Sequence, residues 1–399
     1  MVASLLSPRM VVLNLLAATE GGQVTRARHF LQLLRRYDAD TPFLVLKARG
    51  SLPFCESTEG IEVREVELPG QGLPRAGRRM LWENRVLPKL MAPRARRVYL
   101  TFSHYLPVTF PAQAVSVVGV SNLAPFSQEA MAAEPRLLGR MKLRALSRTV
   151  ISSARRATAV IALSDTCKRV LVNRGVASEK IHVVPNGVTP VIPGQHADTR
   201  LLNVLGLREG YVLCVSHFHR YKNFSTLVEA YSLLTPAFRA AFPLVIVGKP
   251  LDADCFADVQ RQIRASGLEE CIRLIPGVEH GAVLSLYAHA ALFVFPSLVE
   301  NCPNILLEAM ASGLPVLAGR IAPMPEFGGD AARYFEPLSA LDMARAIEEV
   351  ACDAALRASM RESSLRQTEK FTWDNFTARV VQIYREAGPI ALSADRTGP

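Results

Sequence analysis

Paired cysteines, long apolar runs and short repeats are all missing from this sequence. Its seven cysteines are scattered along 399 residues, and none forms a Cys-x-x-Cys pair. This pattern argues against a zinc site and a disulfide framework, and it favours a reducing compartment. No apolar run reaches the length of a membrane span, and no short period indicates a solenoid. We therefore expect neither a disulfide-stabilised domain nor a stack of repeats.

The apolar segment near the N-terminus has one feature of a signal peptide, because Arg9 precedes it. The stretch "RMVVLNLLAATEGG" is better explained as a first buried strand followed by a turn with two glycines. We therefore expect a cytoplasmic protein.

The composition is typical of a globular protein, with 49% hydrophobic and 21% charged residues, and the length favours two domains. Apolar runs alternate with helical patterns, which predicts α/β domains with mostly parallel, doubly wound sheets. Pro, Gly and polar residues interrupt this alternation near 187–199. We predict one Rossmann-like domain over residues 1–187, a second over 200–370, and a last helix at 371–388 that packs toward the first domain.

Ten apolar runs have the length and composition of buried strands. They are "MVVLNLLAA", "TPFLVLKA", "RVYLTFS", "AVSVVGV" and "ATAVIALS" in the first half, and "GYVLCVS", "PLVIVGK", "CIRLIPG", "ALFVFPS" and "PVLAG" in the second.

The net charge of +10 is concentrated in two segments of the first half, near residues 75–97 and 136–156. Leu, Met and Trp residues are interspersed with the cations, so both segments resemble basic amphipathic helices. One interpretation is contact with an anionic membrane surface, on the inner face of the membrane, or with an acidic partner; the other is a solvated basic face. We do not expect nucleic acid as a partner, because no known binding motif accompanies the charge.

The stretch "SLVENCPNILLEAMASGLPVL" contains two glutamates in unusual places. It follows an apolar run, and Pro303 suits the first turn of a helix that Gly313 ends, so the pattern is strand, loop, helix, strand. Glu300 precedes the helix and Glu308 lies inside it. In open parallel sheets, ligands bind at the carboxyl ends of the strands, so Glu300 and the amides after it are expected to face a ligand.

This stretch resembles the E-x7-E signature of the retaining glycosyltransferases of family 4. Other blocks follow in the order of that family: "ATEGGQVTRARHFLQLL", "HVVPNGV", "VSHFHRYKNFSTLVEAY", "LVIVGK", "IPGV" and "FTW". The resemblance covers nearly the whole chain and is strongest over residues 181–337. It implies the GT-B fold, with two Rossmann-like domains facing a cleft and a C-terminal helix that crosses back to the first domain.

The resemblance also implies a nucleoside-diphosphate sugar as the donor, held mostly by the C-terminal domain. It places Glu308 on the ribose hydroxyls, where a carboxylate can accept two hydrogen bonds, and Glu300 near the transferred sugar. The amides of Asn304 and Ile305 are expected to face the diphosphate or the sugar. Backbone groups around Gly248 and the segment 276–278, which ends at Val278, are expected to select the base.

In the block "HRYKN", the resemblance implies that Lys222, together with Arg220, neutralises the departing diphosphate. His217 stands where many members have an arginine, a departure that Arg220 compensates in this interpretation. Gly21 and Gly22 are expected to let the backbone approach the phosphate or the acceptor; the alternative is a plain turn.

A second departure is Asn122, which stands where members often have a histidine near the sugar. His104 is a candidate substitute, although a structural histidine is the simpler explanation. Two Asp-Ala-Asp triplets, 38–40 and 252–254, resemble a metal motif but are interpreted as solvated acids, so we expect no metal cofactor.

The sequence therefore predicts a retaining, metal-independent transfer of a hexose to a hydroxyl acceptor, such as a lipid-linked or surface glycan. Two alternatives are a noncatalytic protein of the same fold that binds nucleotide or a partner transferase, and a nucleotide-sugar epimerase. The sequence does not identify the base, the sugar, the acceptor or the oligomeric state.

Overall fold

The structure is a computed structural model that describes residues 10–19, 21–70, 72–91, 97–112, 114–191 and 199–387. Most of the predicted linker, the cations of residues 92–96, and residue 388 at the end of the last predicted helix lie outside the described residues.

The described chain forms two compact units. The first unit contains the described parts of residues 1–122, 144–187 and 373–399, and the second contains 123–143 and 188–372. The chain thus enters the second unit briefly after residue 122, returns, and enters it again after residue 187.

The first unit is built on a seven-stranded sheet whose described pairings are all parallel. The strand order is β3-β2-β1-β4-β5-β6-β7. The strands are β1 (Met10–Asn14), β2 (Phe43–Ala48), β3 (Ile61–Val66), β4 (Arg97–Thr101), β5 (Val115–Val120), β6 (Ala159–Ala162) and β7 (Ile181–Val183).

The second unit is built on a six-stranded parallel sheet with the order β10-β9-β8-β11-β12-β13. Its strands are β8 (Val212–Val215), β9 (Leu244–Val247), β10 (Ile272–Ile275), β11 (Leu292–Phe295), β12 (Val316–Gly319) and β13 (Ala332–Phe335). Two apolar clusters, one built around Phe218 and Met343 and the other around Tyr287 and Met310, hold the core.

Helices lie in most of the connections between the parallel strands. In chain order they are α1 (Gly22–Tyr37), α2 (Arg75–Met91), α3 (Gln128–Ala133), α4 (Leu137–Arg156), α5 (Asp165–Asn173), α6 (Arg200–Leu205), α7 (Phe224–Leu233), α8 (Pro236–Ala241), α9 (Ala253–Ala265), α10 (His280–His289), α11 (Asn304–Ala311), α12 (Met324–Gly328), α13 (Ala340–Cys352), α14 (Ala354–Thr368) and α15 (Trp373–Ala387).

The α/β class and the two Rossmann-like domains are confirmed, and all ten predicted strands are present. Three further strands, β3, β7 and β13, were not predicted. Helix α11 also begins one residue later than expected, because Pro303 has a ψ of 76° and serves as the N-cap. None of the helices within the described residues combines the length and apolar character needed to cross a bilayer.

The last helix, α15, is held in the first unit by a buried polar contact as well as by aromatic packing. Trp373 stacks on His29 with ring centroids 4.5 Å apart. Asp38, which is 1% exposed, accepts hydrogen bonds from the Tyr384 hydroxyl and from Arg385 Nη2 at 2.7 Å. The prediction that Asp38 is a solvated acid is therefore wrong, because two donors of α15 compensate for the burial of its charge.

Candidate functional site

The candidate site lies at the carboxyl edge of the second sheet, where the direction of chain progression reverses. Strands β8 and β11 are neighbours at this point, and their following loops diverge to opposite sides, which is the usual ligand position in such sheets. All predicted donor-site residues follow strands of this sheet: His217, Arg220 and Lys222 after β8, Gly248 after β9, Val278 after β10, and Glu300, Asn304, Ile305 and Glu308 after β11.

The structure brings Lys222 and Glu300 into direct contact across the reversal point. Lys222 Nζ donates a short, charge-assisted hydrogen bond to Glu300 Oε1, and the side chains are only 12% and 13% exposed. The ammonium also lies 5.3 Å from the Tyr221 ring centroid and 5.5 Å from that of Phe295. A cation and a carboxylate that are 78 positions apart in sequence thus form one buried pair at the strand ends.

Burial alone would lower the pKa of Lys222. The negative charge of Glu300 and the hydrogen bond to it more than offset this effect, so the pKa of Lys222 stands above its ordinary value. Lys222 is therefore a fixed positive charge at neutral pH. An anion that replaces Glu300 as its partner would find the cation already desolvated and oriented.

Asn223 connects the two loops that carry Lys222 and Glu300. This residue was not identified from the sequence. Its backbone adopts a left-handed conformation with a φ of 60°. Its amide nitrogen donates to the carbonyl of Pro296 at 3.2 Å and to that of Pro337 at 2.6 Å, and its Oδ1 accepts from Thr226 Oγ1 at 2.7 Å. Asparagine suits this position because it tolerates the left-handed region. One polar residue beside Lys222 therefore joins three segments.

A backbone hydrogen bond adds to this connection. The Leu298 amide donates to the Tyr221 carbonyl at 2.8 Å, directly between the loop after β8 and the loop after β11. The position of Lys222 relative to Glu300 is thus fixed on both sides of the lysine.

Glu308 lies in α11 with a half-buried side chain. Burial raises its pKa to about 7. No described residue donates a hydrogen bond to its carboxylate or forms an ion pair with it. Partial burial of a carboxylate without such partners costs free energy, and hydroxyl donors of a ligand would compensate for that cost.

The first turn of α11 offers fewer free amides than the sequence suggests. The Asn304 amide donates to the Cys302 carbonyl at 2.9 Å. The Ile305 amide lies in the same first turn, where the helix itself supplies no acceptor. Ile305 is therefore the better candidate for an anion contact.

Arg220 points away from the lysine pair, toward α9. Its Nη2 atom lies 2.9 Å from Asp258 Oδ2, and the hydrogen bond from Arg220 lowers the pKa of that carboxyl group. The ring of His219 stacks on Tyr221 with centroids 5.3 Å apart, and His217 is half-buried in the same loop. Arg220 and Lys222 were both predicted to bind phosphate. In the structure, Arg220 pairs with the more exposed Asp258, whereas Lys222 lies at the reversal point and pairs with the mostly buried Glu300.

Gly248 is required by the backbone itself. A Cβ atom there would lie 1.7 Å from the carbonyl oxygen of Ser216, so no other residue fits without a shift of the chain. Val278, at the next strand end, is half-buried against the apolar cluster of Tyr287. Both residues contribute to the carboxyl edge of the sheet through packing and not through polar side chains. This is compatible with a nucleobase that is bound by backbone groups.

The first unit holds a buried polar cluster at the carboxyl edge of β1 and β4. Asn14 Nδ2 donates to Glu83 Oε1 at 2.7 Å and to the Tyr99 hydroxyl at 2.9 Å. Burial raises the pKa of Glu83 to about 7. Burial, and then the charge of Arg79, lower the pKa of His104 to about 4. His104 is therefore a neutral imidazole at physiological pH, which can accept a proton only at a cost.

The remaining predicted residues of the first unit are exposed or lie at a helix start. Gly21 is the N-cap of α1, with a φ of 60°, and a Cβ atom there would meet no other atom within 4 Å. Gly22 is the first residue of that helix, and Asn122 is exposed at the end of the first unit's segment. The backbone at Gly21 thus requires glycine, and the space beside it is open.

Two of the sequence blocks that resemble family 4 contain residues that stabilise the first unit. Arg26, which is 3% exposed, donates from Nε to Asn186 Oδ1 at 2.7 Å and from Nη1 to Ser121 Oγ at 2.9 Å. Asn186 belongs to the "PNGV" block and Arg26 to the block after β1. These residues connect segments of the first unit.

Asp252 of the second Asp-Ala-Asp triplet has a structural role at the start of α9. Asp252 caps α9 by accepting from the Cys255 amide at 3.2 Å, and Arg136 lies 3.5 Å from its Oδ2 atom. Within the described residues, no cluster of three or more His, Cys, Asp or Glu side chains is arranged to hold a metal ion.

Two Rossmann-like domains in one chain, each built on a parallel sheet, are the architecture of the GT-B class of glycosyltransferases. Residues 20–191 match the family model described as "Glycosyltransferase Family 4", and residues 203–367 match "Glycosyl transferases group 1". The chain belongs to glycosyltransferase family 4.

A known relative agrees with this assignment, and solved structures share the fold. The O-antigen chain mannosyltransferase B of Escherichia coli is 31% identical over 178 residues, which cover 44% of this chain and 46% of that protein, so the match spans less than half of the relative. WaaG, a glycosyltransferase of lipopolysaccharide biosynthesis, has a TM-score of 0.70 at 18% identity, covering 94% of this chain and 99% of WaaG. Anabaena Alr3699/HepE, solved with UDP and glucose, has a TM-score of 0.70 at 17% identity, covering 94% and 98%.

Proposed function

We propose that this protein transfers a hexose from a nucleoside-diphosphate sugar to a hydroxyl of a lipid-linked or surface glycan, with retention of the anomeric configuration. The observation that carries the proposal is the arrangement at the edge of the second sheet. A desolvated lysine and a carboxylate lie across the reversal point, and a second carboxylate without a described donor lies on the adjoining helix.

In the proposed reaction, the bond between the anomeric carbon and the phosphate oxygen breaks, and a bond to the acceptor oxygen forms on the same face. The acceptor proton passes to the departing phosphate. Lys222 changes partner from Glu300 to the diphosphate and stabilises its growing negative charge. Glu300 is then free to accept from hydroxyls of the sugar, and Glu308 accepts from the ribose. Arg220 contributes only if its pairing with Asp258 is broken.

We further propose that no metal ion is needed. The support is Lys222, which supplies a permanent positive charge where a metal-dependent enzyme would place a cation. EDTA is expected to leave the transfer rate unchanged, and a loss of activity that only manganese restores would contradict this part of the proposal.

The acceptor and the location are inferred from the relatives and from the charge. The O-antigen mannosyltransferase and WaaG, by their names, act in the synthesis of surface glycans. The net charge of +10 suits a protein that works at the inner, anionic face of a membrane. We therefore propose a peripheral location there, with nucleoside-diphosphate mannoses as the first donors to test because of the mannosyltransferase relative.

A thermal-shift panel of UDP, GDP, ADP, CMP and their sugars tests the donor site. A ligand that binds only the folded state raises the melting temperature according to its affinity. One diphosphate should stabilise the wild type, and the effect should fade in Glu308→Gln. No shift with any nucleotide would contradict the donor site.

One alternative remains supported by a specific observation. His217 and Asn122 replace an arginine and a histidine that family members often have, which favours a noncatalytic protein that only binds nucleotide. A product assay distinguishes the three hypotheses. Sugar transfer supports the glycosyltransferase, epimerisation supports the nucleotide-sugar epimerase, and nucleotide binding without turnover supports the noncatalytic protein.

A further inference from the structure

The first half of helix α4 exposes three large apolar side chains within five positions. Leu137 is 71% exposed, Leu138 is 70% exposed and Met141 is 55% exposed. Elsewhere in the described chain, no stretch of five residues holds three large apolar side chains exposed to this degree. Single exposed leucines need no explanation, but a cluster on one helix does.

The three side chains share one face, and cations flank them. At about 100° per residue, Leu137, Met141 and Leu138 fall within an arc of about 100°. Arg144 lies beyond one edge of this arc and Lys142 beyond the other, while Arg148 continues the same face along the helix. Lys142, Arg144 and Arg148 are exposed, and no described carboxylate pairs with them. We call these six residues the α4 face.

The other basic segment, α2, lacks such a face although its sequence pattern is similar. Its large apolar residues are buried, as for Leu87 and Met91, or half-buried, as for Trp82. The cations Arg75, Arg85 and Lys89 therefore stand on a solvated surface. The structure thus separates two segments that the sequence presented as equivalent.

The beginning of α4 is held firmly within the second unit. Arg136 lies 3.5 Å from Asp252 and 3.8 Å from Asp254, and Arg140 Nε donates to the Glu134 carbonyl at 2.7 Å. Asp252 caps α9, the helix whose Asp258 holds Arg220. The preceding helix, α3, packs against the turn of residues 220–222. The part of the α4 face that belongs to the second unit, residues 137–142, therefore lies close in the structure to the loop that carries Lys222.

We propose that the α4 face docks on a bilayer that contains anionic lipids. Leu137, Leu138 and Met141 enter the boundary between headgroups and acyl chains, and Lys142, Arg144 and Arg148 contact the anionic headgroups. The role of this contact rests on the proposed function, because it would keep the donor edge next to a lipid-linked acceptor. A second copy of the chain fits the face less well, since a symmetric dimer would bring the same cations together.

Vesicle flotation of the full chain tests the proposal, with phosphatidylcholine vesicles that contain or lack phosphatidylglycerol. The wild type should bind only the anionic vesicles. Leu137→Ser/Leu138→Ser should weaken binding at least about tenfold. Lys142→Gln/Arg144→Gln/Arg148→Gln should weaken it about a hundredfold, at roughly fivefold per cation near the surface.

Matched controls carry the same chemical changes elsewhere. Leu233→Ser/Leu341→Ser changes two leucines that are 54% and 51% exposed on other helices, and Arg75→Gln/Arg85→Gln/Lys89→Gln removes three cations from α2. Both controls should bind anionic vesicles as the wild type does. All variants should keep the nucleotide-induced rise in melting temperature, which shows that they are folded.

Three outcomes would overturn the proposal. One is a wild type that ignores anionic lipid. Another is loss of vesicle binding in the α2 control but not in the α4 variants. The third is a wild-type dimer that Leu137→Ser/Leu138→Ser converts to a monomer without any vesicle binding. Failure of the proposed function looks different, because vesicle binding would then persist while no nucleotide stabilises the protein.

Discussion

Substitution of Asn223 is expected to loosen the donor site and destabilise the second unit together. The amide side chain makes three hydrogen bonds: two buried ones to the carbonyls of Pro296 and Pro337, and a partly buried one from the hydroxyl of Thr226. Each is worth about 1 kcal/mol net, so Asn223→Gly should lower the free energy of unfolding by about 3 kcal/mol. Asn223→Ala should cost about 1 kcal/mol more, because alanine is strained at a φ of 60°.

The melting temperature measures this effect directly. For a unit of about 200 residues, 3 kcal/mol corresponds to a fall of roughly 6–12 °C. Because Asn223 holds Lys222 beside Glu300, nucleotide-sugar affinity should also fall, by about tenfold or more. Calorimetric titration of the folded variants gives that number.

The glycine and alanine variants together separate the side chain from the backbone. If Asn223→Gly melted within about 2 °C of the wild type, the hydrogen bonds would not stabilise the fold as argued. If it melted lower but bound the nucleotide sugar normally, Asn223 would be structural without positioning Lys222.

Three further predictions concern Gly248, Tyr384 and Glu308. Gly248→Ala should cost about 3 kcal/mol or more, because its Cβ would collide with the Ser216 carbonyl, and a normal unfolding curve would refute the close approach. Tyr384→Phe should lower stability by about 2 kcal/mol through loss of the bond to buried Asp38, with nucleotide-induced stabilisation retained; unchanged denaturation would show that this bond contributes nothing. Burial raises the pKa of Glu308 from 4.5 to about 7, so its contribution to stability is full below pH 4.5 and is lost as the pH rises through 7. The free energy of unfolding of Glu308→Gln, relative to that of the wild type, should therefore rise by about 2 kcal/mol between pH 5 and pH 8. Free energies of unfolding that change with pH in the same way in both proteins would contradict this.

The strands that the sequence failed to predict have a common physical cause. β3, β7 and β13 are edge strands of their sheets, and residues such as Glu62, Arg64 and Arg333 alternate with their apolar positions. Interior strands such as β8 and β11 are buried on both faces and form continuous apolar runs, which are easier to recognise. The two-domain α/β architecture could therefore be predicted, whereas three of the four edge strands could not; the fourth, β10, was recognised from its run "CIRLIPG".

The same limit applies to the candidate site. The spacing of Glu300 and Glu308, and the position of Lys222 after a strand, could be recognised from motifs. The pairing of Lys222 with Glu300 depends on which strands are neighbours, and the role of Asn223 depends on carbonyls more than 70 positions away. Likewise, Asp38 resembles a surface acid until the last helix covers it.

We propose above all that the edge of the second sheet binds the diphosphate of a nucleotide sugar through Lys222. The most direct measurement is calorimetric titration of the stabilising nucleoside diphosphate into the wild type, Lys222→Met and Arg220→Met. We expect a loss of affinity of about a hundredfold in Lys222→Met, and a small loss in Arg220→Met because Asp258 already pairs with that arginine. Unchanged affinity in Lys222→Met, or a larger loss in Arg220→Met, would contradict it.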